Sequence, residues 1–173
     1  AGTLTNKMAP AINAASDGKL AAVYSRNMRI AEEFAEHHSA GAAYDTVDAL
    51  LNDPNVDAVY VSSPNALHHQ QTVQAARAGK HVLCEKPMAL TVEDCEEMID
   101  VCERARVRLG LCFHARHHPL IQEARKVVQE GTLGVVALVE AQWGSGLRGH
   151  IKPPTREGRQ EWREHSELAG AGA

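Results

Sequence analysis

The chain has 173 residues, of which 44% are apolar and 4% aromatic, and its formal net charge at pH 7 is −4. This length allows one globular domain, or one domain and part of another. Charges of both signs are interspersed, so the sequence predicts no basic surface for nucleic acid. We expect no membrane-spanning segment and no secretory signal peptide, and we interpret the chain as part of a cytoplasmic protein.

Apolar periodicity, caps and turn residues predict helices and strands in alternation. The first elements are a helix with Leu4, Met8 and Ile12 on one face, a strand over residues 19–25, a helix over 28–38, a short extended piece at Tyr44, a helix over 47–52 capped by Thr46, and a strand over 56–61. In the helix over 28–38, the expected apolar face is formed by Ile30, Ala31, Phe34 and Ala35.

The alternation continues through the middle of the chain. Asn65 as N-cap and Gly79 at the C′ position bracket a helix, and residues 81–84 form the next strand. Thr91 caps a helix that is expected to bury Cys95, Met98, Ile99 and Cys102, and a strand over 107–113 follows. This order predicts an α/β fold with a doubly wound parallel sheet and right-handed crossovers.

After His114 the pattern changes. A helix opens at Pro119 and closes at Gly131, a strand is predicted over residues 135–143, and residues 144–159 are rich in glycine, proline and charge. We place a domain boundary near residue 117, which assigns residues 1–117 to the doubly wound domain and residues 118–173 to the start of an α+β domain.

Both ends predict an interior piece of a longer chain. The sequence opens inside a helix, whereas a doubly wound domain normally opens with a strand and a glycine-rich turn. The other end, residues 167–173, is glycine-rich. We therefore expect the first strand and the phosphate-binding loop before Ala1, with most of the second domain after Ala173.

Polar residues follow two of the predicted strands directly. Glu85, Lys86 and Pro87 end the strand over residues 81–84, and Ser62, Ser63, Pro64 and Asn65 end the strand over 56–61. In open α/β sheets, ligands bind outside the carboxyl ends of the strands, so both segments are candidate binding residues. Ordinary alternatives exist for each, since most lysines are simply solvated and turn chemistry alone explains the serine, proline and asparagine.

Ser25 and Arg26 end the strand over residues 19–25, where dinucleotide folds contact the adenosine ribose. NAD-binding proteins usually place a carboxylate there, whereas an arginine accommodates the 2′-phosphate of NADP. The pair therefore favours NADP over NAD, against the alternative of a surface arginine in a loop.

The segments over residues 56–94 resemble the Gfo/Idh/MocA (glucose-fructose oxidoreductase and inositol 2-dehydrogenase) family. In that family a strand ends in Thr/Ser-Pro-Asn-x-x-His, and a helix then leads to Ala-Gly-Lys-His-Val-x-x-Glu-Lys-Pro. Here the matching runs are Ser-Pro-Asn-Ala-Leu-His and Ala-Gly-Lys-His-Val-Leu-Cys-Glu-Lys-Pro. The resemblance continues more faintly, in register, over the whole chain. Within the family, the motif residues are most similar to those of sugar dehydrogenases and 1,5-anhydrofructose reductases.

The resemblance implies a Rossmann-type fold and an oxidoreductase that transfers a hydride between NADP or NAD and a sugar or polyol. It places Lys86 beside the nicotinamide and the reacting hydroxyl, with Glu85 holding the neighbouring backbone and cofactor. It also predicts a cis Lys86–Pro87 peptide. The other residues implied near the cofactor or the mouth of its site are Ser62, Ser63, Pro64, Asn65, His68, Pro87, Arg116, Trp162 and Arg163, of which the last three have packing or surface roles as alternatives.

The intact protein is expected to be a homo-oligomer whose partner is a small sugar or polyol. A rival hypothesis is a non-catalytic dinucleotide sensor that keeps the cofactor cleft and lacks the catalytic aspartate and histidine, which are expected beyond Ala173. A flavodoxin-like binding module is disfavoured, because such a module does not need Glu-Lys-Pro.

Cysteines and histidines give no metal pattern. Neither the four cysteines nor the histidines are spaced with other ligands as in zinc or iron sites, so no metal is expected. We interpret the cysteines as small core residues of a reduced protein. The cysteines are Cys84, Cys95, Cys102 and Cys112, and the histidines in question are His37, His38, His114, His117 and His118.

Overall fold

The computed structural model describes residues 3–141. In chain order the helices and strands are α1 (Thr3–Ala14), β1 (Ala22–Tyr24), α2 (Met28–His38), β2 (Ala42–Tyr44), α3 (Val47–Leu51), β3 (Ala58–Val61), α4 (His68–Arg77), β4 (His81–Cys84), α5 (Val92–Arg104), β5 (Leu109–Leu111) and α6 (Pro119–Gln129). Two 3-10 turns, Asn65–Leu67 and His114–His117, precede α4 and α6.

All of the strand pairs in residues 3–141 are parallel. β1 pairs with β2, and β3, β4 and β5 form a second sheet with β4 in the centre. The α/β fold with parallel strands is therefore confirmed.

The main core lies between the β3–β5 sheet and helices α4 and α5. Met98 and Cys84 are fully buried in it, together with Ala75 and Ala76 of α4. A smaller cluster joins Ala9 of α1 to β1 and α2. These clusters hold the strand ends in place, since buried side chains pack at the density of organic crystals.

Several predicted caps are confirmed. The Thr91 hydroxyl accepts a hydrogen bond from the Asp94 amide at 3.1 Å, and the Thr46 hydroxyl accepts one from Ala49 at 3.2 Å. Gly79 ends α4 with a φ of +74°, a conformation that favours glycine. The predicted N-cap Asn65 is wrong, because a 3-10 turn closed by the Leu67 amide on the Pro64 carbonyl delays α4 until His68.

The buried faces of two helices differ from prediction: Cys95 of α5 is only partly buried, and one isoleucine on each helix is exposed. Ile99 of α5 is 46% exposed and Ile30 of α2 is 37% exposed. On α5, Met98, Val101 and Cys102 carry the buried face at i, i+3 and i+4. Ile99 comes one residue after Met98, which rotates it about 100° around the helix to the edge of the buried face, where it lines an open surface pocket with Leu109 and Leu111 of β5.

The chain divides into two compact units between Cys112 and Phe113. In the second unit, Pro119 opens α6 after His118, whose ring accepts the Leu120 amide. Gly131 follows the helix with a φ of +70°, as the sequence predicted. The assignment of residues 1–117 and 118–173 to two domains stays a prediction.

The strand predicted over residues 135–143 is wrong for its described part. Residues 135–141 have no strand pairing, and Val135, Leu138 and Val139 are each at least 80% exposed. A strand needs a neighbour for its backbone hydrogen bonds, and none lies beside this segment within the described chain. Residues 142 and 143 lie outside the described part. Among the described helices, none combines the length and hydrophobicity needed to cross a bilayer.

Candidate functional site

Residues 85–87, here called the β4 turn, leave the carboxyl end of the central strand. The Glu85 amide donates to the Val61 carbonyl at 2.9 Å, which fixes the start of this turn against β3. Lys86 and Pro87 are exposed, whereas Glu85 is only 5% exposed. The Lys86–Pro87 peptide is cis, which confirms the prediction.

The Glu85 carboxylate is held by donors on both of its oxygens. The Tyr60 hydroxyl donates to Oε1 at 2.7 Å, and the Lys86 amide donates to Oε2 at 3.2 Å. Tyr60 lies opposite Leu83 in the sheet, so Glu85 is its diagonal neighbour on the same face. Burial and this hydrogen bond to Glu85 raise the pKa of Tyr60.

Cys112, which follows β5, lies on the other side of Glu85. Burial, followed by the hydrogen bond and charge of the Glu85 carboxylate, raises the pKa of the Cys112 thiol. Tyr60 and Cys112 therefore stay protonated as donors near neutral pH. The Glu85 side chain is thus fixed between three strands and supports the Lys86 backbone.

Residues 62–65, here called the β3 turn, are joined to the β4 turn by His68. The His68 ring is 1% exposed. Its Nδ1 lies 2.7 Å from the Pro87 carbonyl oxygen, and its Nε2 lies 3.0 Å from the Ser63 carbonyl oxygen. The ring therefore spans the two turns from the first residue of α4.

The β3 turn also meets the beginning of α1. The hydroxyl oxygens of Ser62 and Thr5 lie 3.0 Å apart, and the Ser63 hydroxyl donates to the Pro64 carbonyl at 3.5 Å. Asn65 is 7% exposed. The first turns of α1 thus lie beside the carboxyl end of β3.

Ser25 and Arg26 follow β1, the strand paired with β2. The Ser25 amide donates to the Tyr44 carbonyl at 3.0 Å, and the Ser25 hydroxyl accepts from the Asn27 amide at 3.4 Å. Asn27 caps α2. Arg26 is exposed, so its guanidinium is accessible to an anion near the positive end of α2.

The structure thus places three groups of predicted residues at the carboxyl ends of parallel strands, and it joins two of them through His68. Arg116 belongs to the second unit, where its guanidinium lies 5.1 Å from the centre of the Phe113 ring. Trp162 and Arg163 lie outside the described residues. Within residues 3–141, no group of three or more His, Cys, Asp or Glu side chains is arranged to hold a metal ion.

A second polar cluster, which was not predicted, lies before the amino ends of β3 and β4 and is reached by the side chain of Tyr44, the last residue of β2. Asp53, 8% exposed, accepts from the Asn55 amide at 2.8 Å and from the Tyr44 hydroxyl at 3.1 Å. These hydrogen bonds, led by that of the Asn55 backbone, lower the pKa of Asp53. The Lys80 ammonium donates to the carbonyls of Asp53 and Val56 at 3.0 and 2.7 Å.

The family model described as "Oxidoreductase family, NAD-binding Rossmann fold" matches residues 1–113, which include all of the strands described above. The chain belongs to the Gfo/Idh/MocA oxidoreductase family. The prediction made from Ser-Pro-Asn and Glu-Lys-Pro is therefore confirmed.

Individual relatives agree with the family. Over 91% of its length the chain is 36% identical to a 1,5-anhydro-D-fructose reductase of Ensifer adhaerens, covering 45% of that protein. Over 85% it is 37% identical to a D-xylose 1-dehydrogenase (NADP(+)) of Haloferax volcanii, again covering 45%. The chain spans less than half the length of these curated relatives.

Solved structures show the same fold. The structure of KijD10, a 3-ketoreductase from Actinomadura kijaniata in complex with NADP and TDP-benzene, matches 71% of this chain with a TM-score of 0.66 and 33% identity. The match covers 38% of that chain. The Rossmann-type fold is therefore shared.

Proposed function

We propose that this chain provides the nicotinamide-dinucleotide-binding part of an oxidoreductase that acts on a sugar, polyol or related carbonyl compound. The observation that carries the proposal is the β4 turn, where a fully held Glu85 stands next to an exposed Lys86. No described residue forms a hydrogen bond or ion pair with the Lys86 ammonium. A fixed backbone with an available cation at a strand end suits chemistry better than packing.

The described residues fit a dinucleotide. The carboxyl ends of β3 and β4 form one edge, and Arg26 provides an exposed cation after β1. We propose NADP as the preferred cofactor and NAD as the alternative, because Arg26 stands where an NAD-specific fold usually has a carboxylate. The named NADP relative and the NADP-containing ketoreductase structure support this choice.

The reaction is the exchange of a hydride and a proton with a carbinol or carbonyl group. When bound, the nicotinamide ring supplies the hydride chemistry. Oxidation of a carbinol removes the hydride from carbon and a proton from oxygen. We assign Lys86 to the oxygen: in the reduction direction its ammonium stabilises the developing alkoxide charge and donates a proton to it, and in the oxidation direction the same proton returns to the lysine amine.

The remaining residues have supporting roles in the proposal. Residues 62–65 and 85–87 line the nicotinamide end, and Ser25 and Arg26 bind the adenosine ribose and its phosphate. Arg116, Trp162 and Arg163 keep the roles near the cofactor or substrate that the family resemblance implies. The whole protein is proposed to be a cytoplasmic homo-oligomer, as expected from the sequence.

The proposal is tested by cofactor binding followed by turnover in the whole protein. Titration calorimetry with NADP and NAD should show binding of both, with NADP bound more tightly. Absorbance at the reduced nicotinamide band, with a panel of aldoses, ketoses and polyols, should then reveal turnover. Binding without turnover across the panel would support the sensor hypothesis, and no binding of either dinucleotide would contradict the proposal.

A further inference from the structure

The surroundings of His68 place an unusual demand on its ring. Both ring nitrogens face carbonyl oxygens, at 2.7 Å from Pro87 and 3.0 Å from Ser63. A carbonyl oxygen only accepts, and a neutral imidazole has one N–H. A neutral ring can therefore donate to one carbonyl only, and its other nitrogen then faces an oxygen with lone pair against lone pair.

We infer that His68 is a positioning residue that acts as a proton-linked clamp between the β3 turn and the β4 turn. Both of its contacts are attractive only when both nitrogens carry hydrogen. With the second proton bound, the ring holds Ser63 and Pro87 together. When that proton leaves, one contact becomes repulsive and the turns separate locally.

The surroundings of His68 contain one feature that disfavours a positively charged ring and one that favours it. His68 is the first residue of α4, where the helix dipole disfavours a positive charge. The two carbonyl oxygens favour it, because they accept hydrogen bonds from the charged form.

Within the described chain, no titratable group on the neighbouring strands is a direct charged partner of the His68 ring. Cys84 on β4 lies on the face that packs against α4, and burial raises the pKa of its thiol to about 11, so it is neutral. Tyr60 on β3 is engaged with Glu85. Tyr60 and Glu85 share the face of the sheet opposite to that of Cys84, because successive residues of a strand point to alternate faces.

The carboxylates of α5, the helix packed beside α4, engage a different histidine. Glu97 lies 2.9 Å and Asp94 lies 3.7 Å from the two nitrogens of the His69 ring. The 3-10 turn Asn65–Leu67 contributes no ionisable side chain. His69 therefore gives a matched control: an adjacent histidine whose partners are carboxylates of α5 rather than carbonyls of the two turns.

The clamp matters because of what the two turns present. The β4 turn carries Lys86, and the β3 turn is proposed to contact the nicotinamide ribose; this part of the inference rests on the proposed function. Misplacement by about 1 Å of a catalytic group can cost roughly 10²-fold in rate. His68 thus affects the reaction through the relative position of two segments, without contacting the reacting atoms.

Nuclear magnetic resonance of the whole protein with ¹⁵N-labelled histidine tests the clamp without cofactor. Between about pH 5 and pH 8, where histidines titrate, the low-pH state should show N–H protons on both His68 nitrogens. Loss of one should coincide with shifts in the backbone signals around residues 63 and 87. Titration of the ring without shifts at either turn, or no second N–H at any pH in this range, would overturn the inference.

Variants supply the functional arm. His68→Gln should lower kcat by roughly tenfold to 10²-fold through misplacement of Lys86 and remove the pH dependence of NADP binding that the clamp causes. His69→Gln should change neither. If His68→Gln lowers only the urea midpoint and leaves kcat and the pH profile unchanged, the residue is merely structural. If the wild type binds no NADP, the proposed function fails, while the resonance result still decides the clamp.

Discussion

The two ends of the β3–β4 sheet are built from similar parts and differ in what they leave available. At one end Tyr60 donates to the buried Glu85, and at the other Tyr44 donates to the buried Asp53. Each end also has a lysine from the same short motif, Lys86 or Lys80. Buried carboxylates and nearby lysines are therefore not by themselves signs of a functional site.

The difference lies in where the ammonium groups go. The Lys80 ammonium donates to the carbonyls of Asp53 and Val56 and so stabilises the loop between α3 and β3. Lys86 is exposed, and within residues 3–141 its ammonium has no hydrogen-bond or ion-pair partner. The comparison teaches that a motif lysine is assigned to structure or chemistry by its partners, not by its position in the motif.

The largest expected effect separates the two lysines directly. In the whole protein, Lys86→Ala should lower kcat by roughly 10²–10⁴-fold, the usual range for a general acid or base. The urea midpoint should stay close to that of the wild type, because the side chain is exposed. Lys86→Arg should restore little, since a guanidinium keeps its proton. Steady-state kinetics and urea denaturation measure both quantities.

Lys80→Ala is the matched control and should behave in the opposite way. Its loss leaves two carbonyls without their charged donor, so stability should fall while kcat per folded molecule is kept. A near-normal kcat in Lys86→Ala, together with a collapse of NADP affinity, would instead make Lys86 a cofactor clamp.

The next effect concerns the choice of dinucleotide. Arg26→Ala should weaken NADP binding by about 1.5–3 kcal/mol, as expected for a lost charge-assisted hydrogen bond, and leave NAD binding nearly unchanged. Arg29, which pairs with Glu33 on α2, provides a control arginine. Titration calorimetry of both variants with both cofactors checks this. Equal losses for NADP and NAD in Arg26→Ala would show that Arg26 does not bind the 2′-phosphate.

A smaller effect compares the two tyrosines. Tyr60→Phe removes a donor from a carboxylate that is 5% exposed and should lower the free energy of unfolding by about 1–3 kcal/mol. Tyr44→Phe should cost less, because Asp53 keeps two donors from Asn55. Urea denaturation of both variants measures the difference. A larger loss of unfolding free energy in Tyr44→Phe than in Tyr60→Phe would contradict this expectation.

The smallest effect is a pH dependence of stability at the Asp53 end. The pKa of Asp53 is lowered in the folded protein, chiefly by the Asn55 backbone hydrogen bond. Its stabilising contribution is therefore complete above the unfolded pKa, and it is lost as the pH falls through the folded pKa. Wild type should lose more stability than Asp53→Asn between about pH 5 and pH 2. Parallel urea midpoints for the two proteins over this window would contradict the assignment.

The sequence predicted the strand ends and their polar turns because these features are local. Strand β4, the Thr91 cap and Gly79 each depend on residues a few positions apart. The partners of Tyr60 and Lys80 lie 25 and 24–27 residues away in the chain, so pattern alone did not identify them. A hydroxyl inside an apolar strand was the available signal, since a buried tyrosine usually finds a partner.

Two other predictions were wrong because they also relied on local sequence alone. Asn65 has the composition of an N-cap, yet the carbonyl of Pro64 closes a 3-10 turn that shifts the helix start to His68. The strand predicted after Gly134 has suitable residues, yet a strand also requires a neighbour. Local propensity is thus decided by longer-range contacts at both places.

The central claim is that the carboxyl edge of the strands binds a nicotinamide dinucleotide while the opposite edge is structural. The most direct test is a titration of the whole protein with NADP, followed through its backbone nuclear magnetic resonance signals. The account predicts that the signals which move most belong to residues 25–27, 62–65 and 85–88, and that residues 53–57 and 80–81 stay unchanged. Shifts concentrated at the Asp53–Lys80 end, or no shifts at saturating NADP, would contradict it.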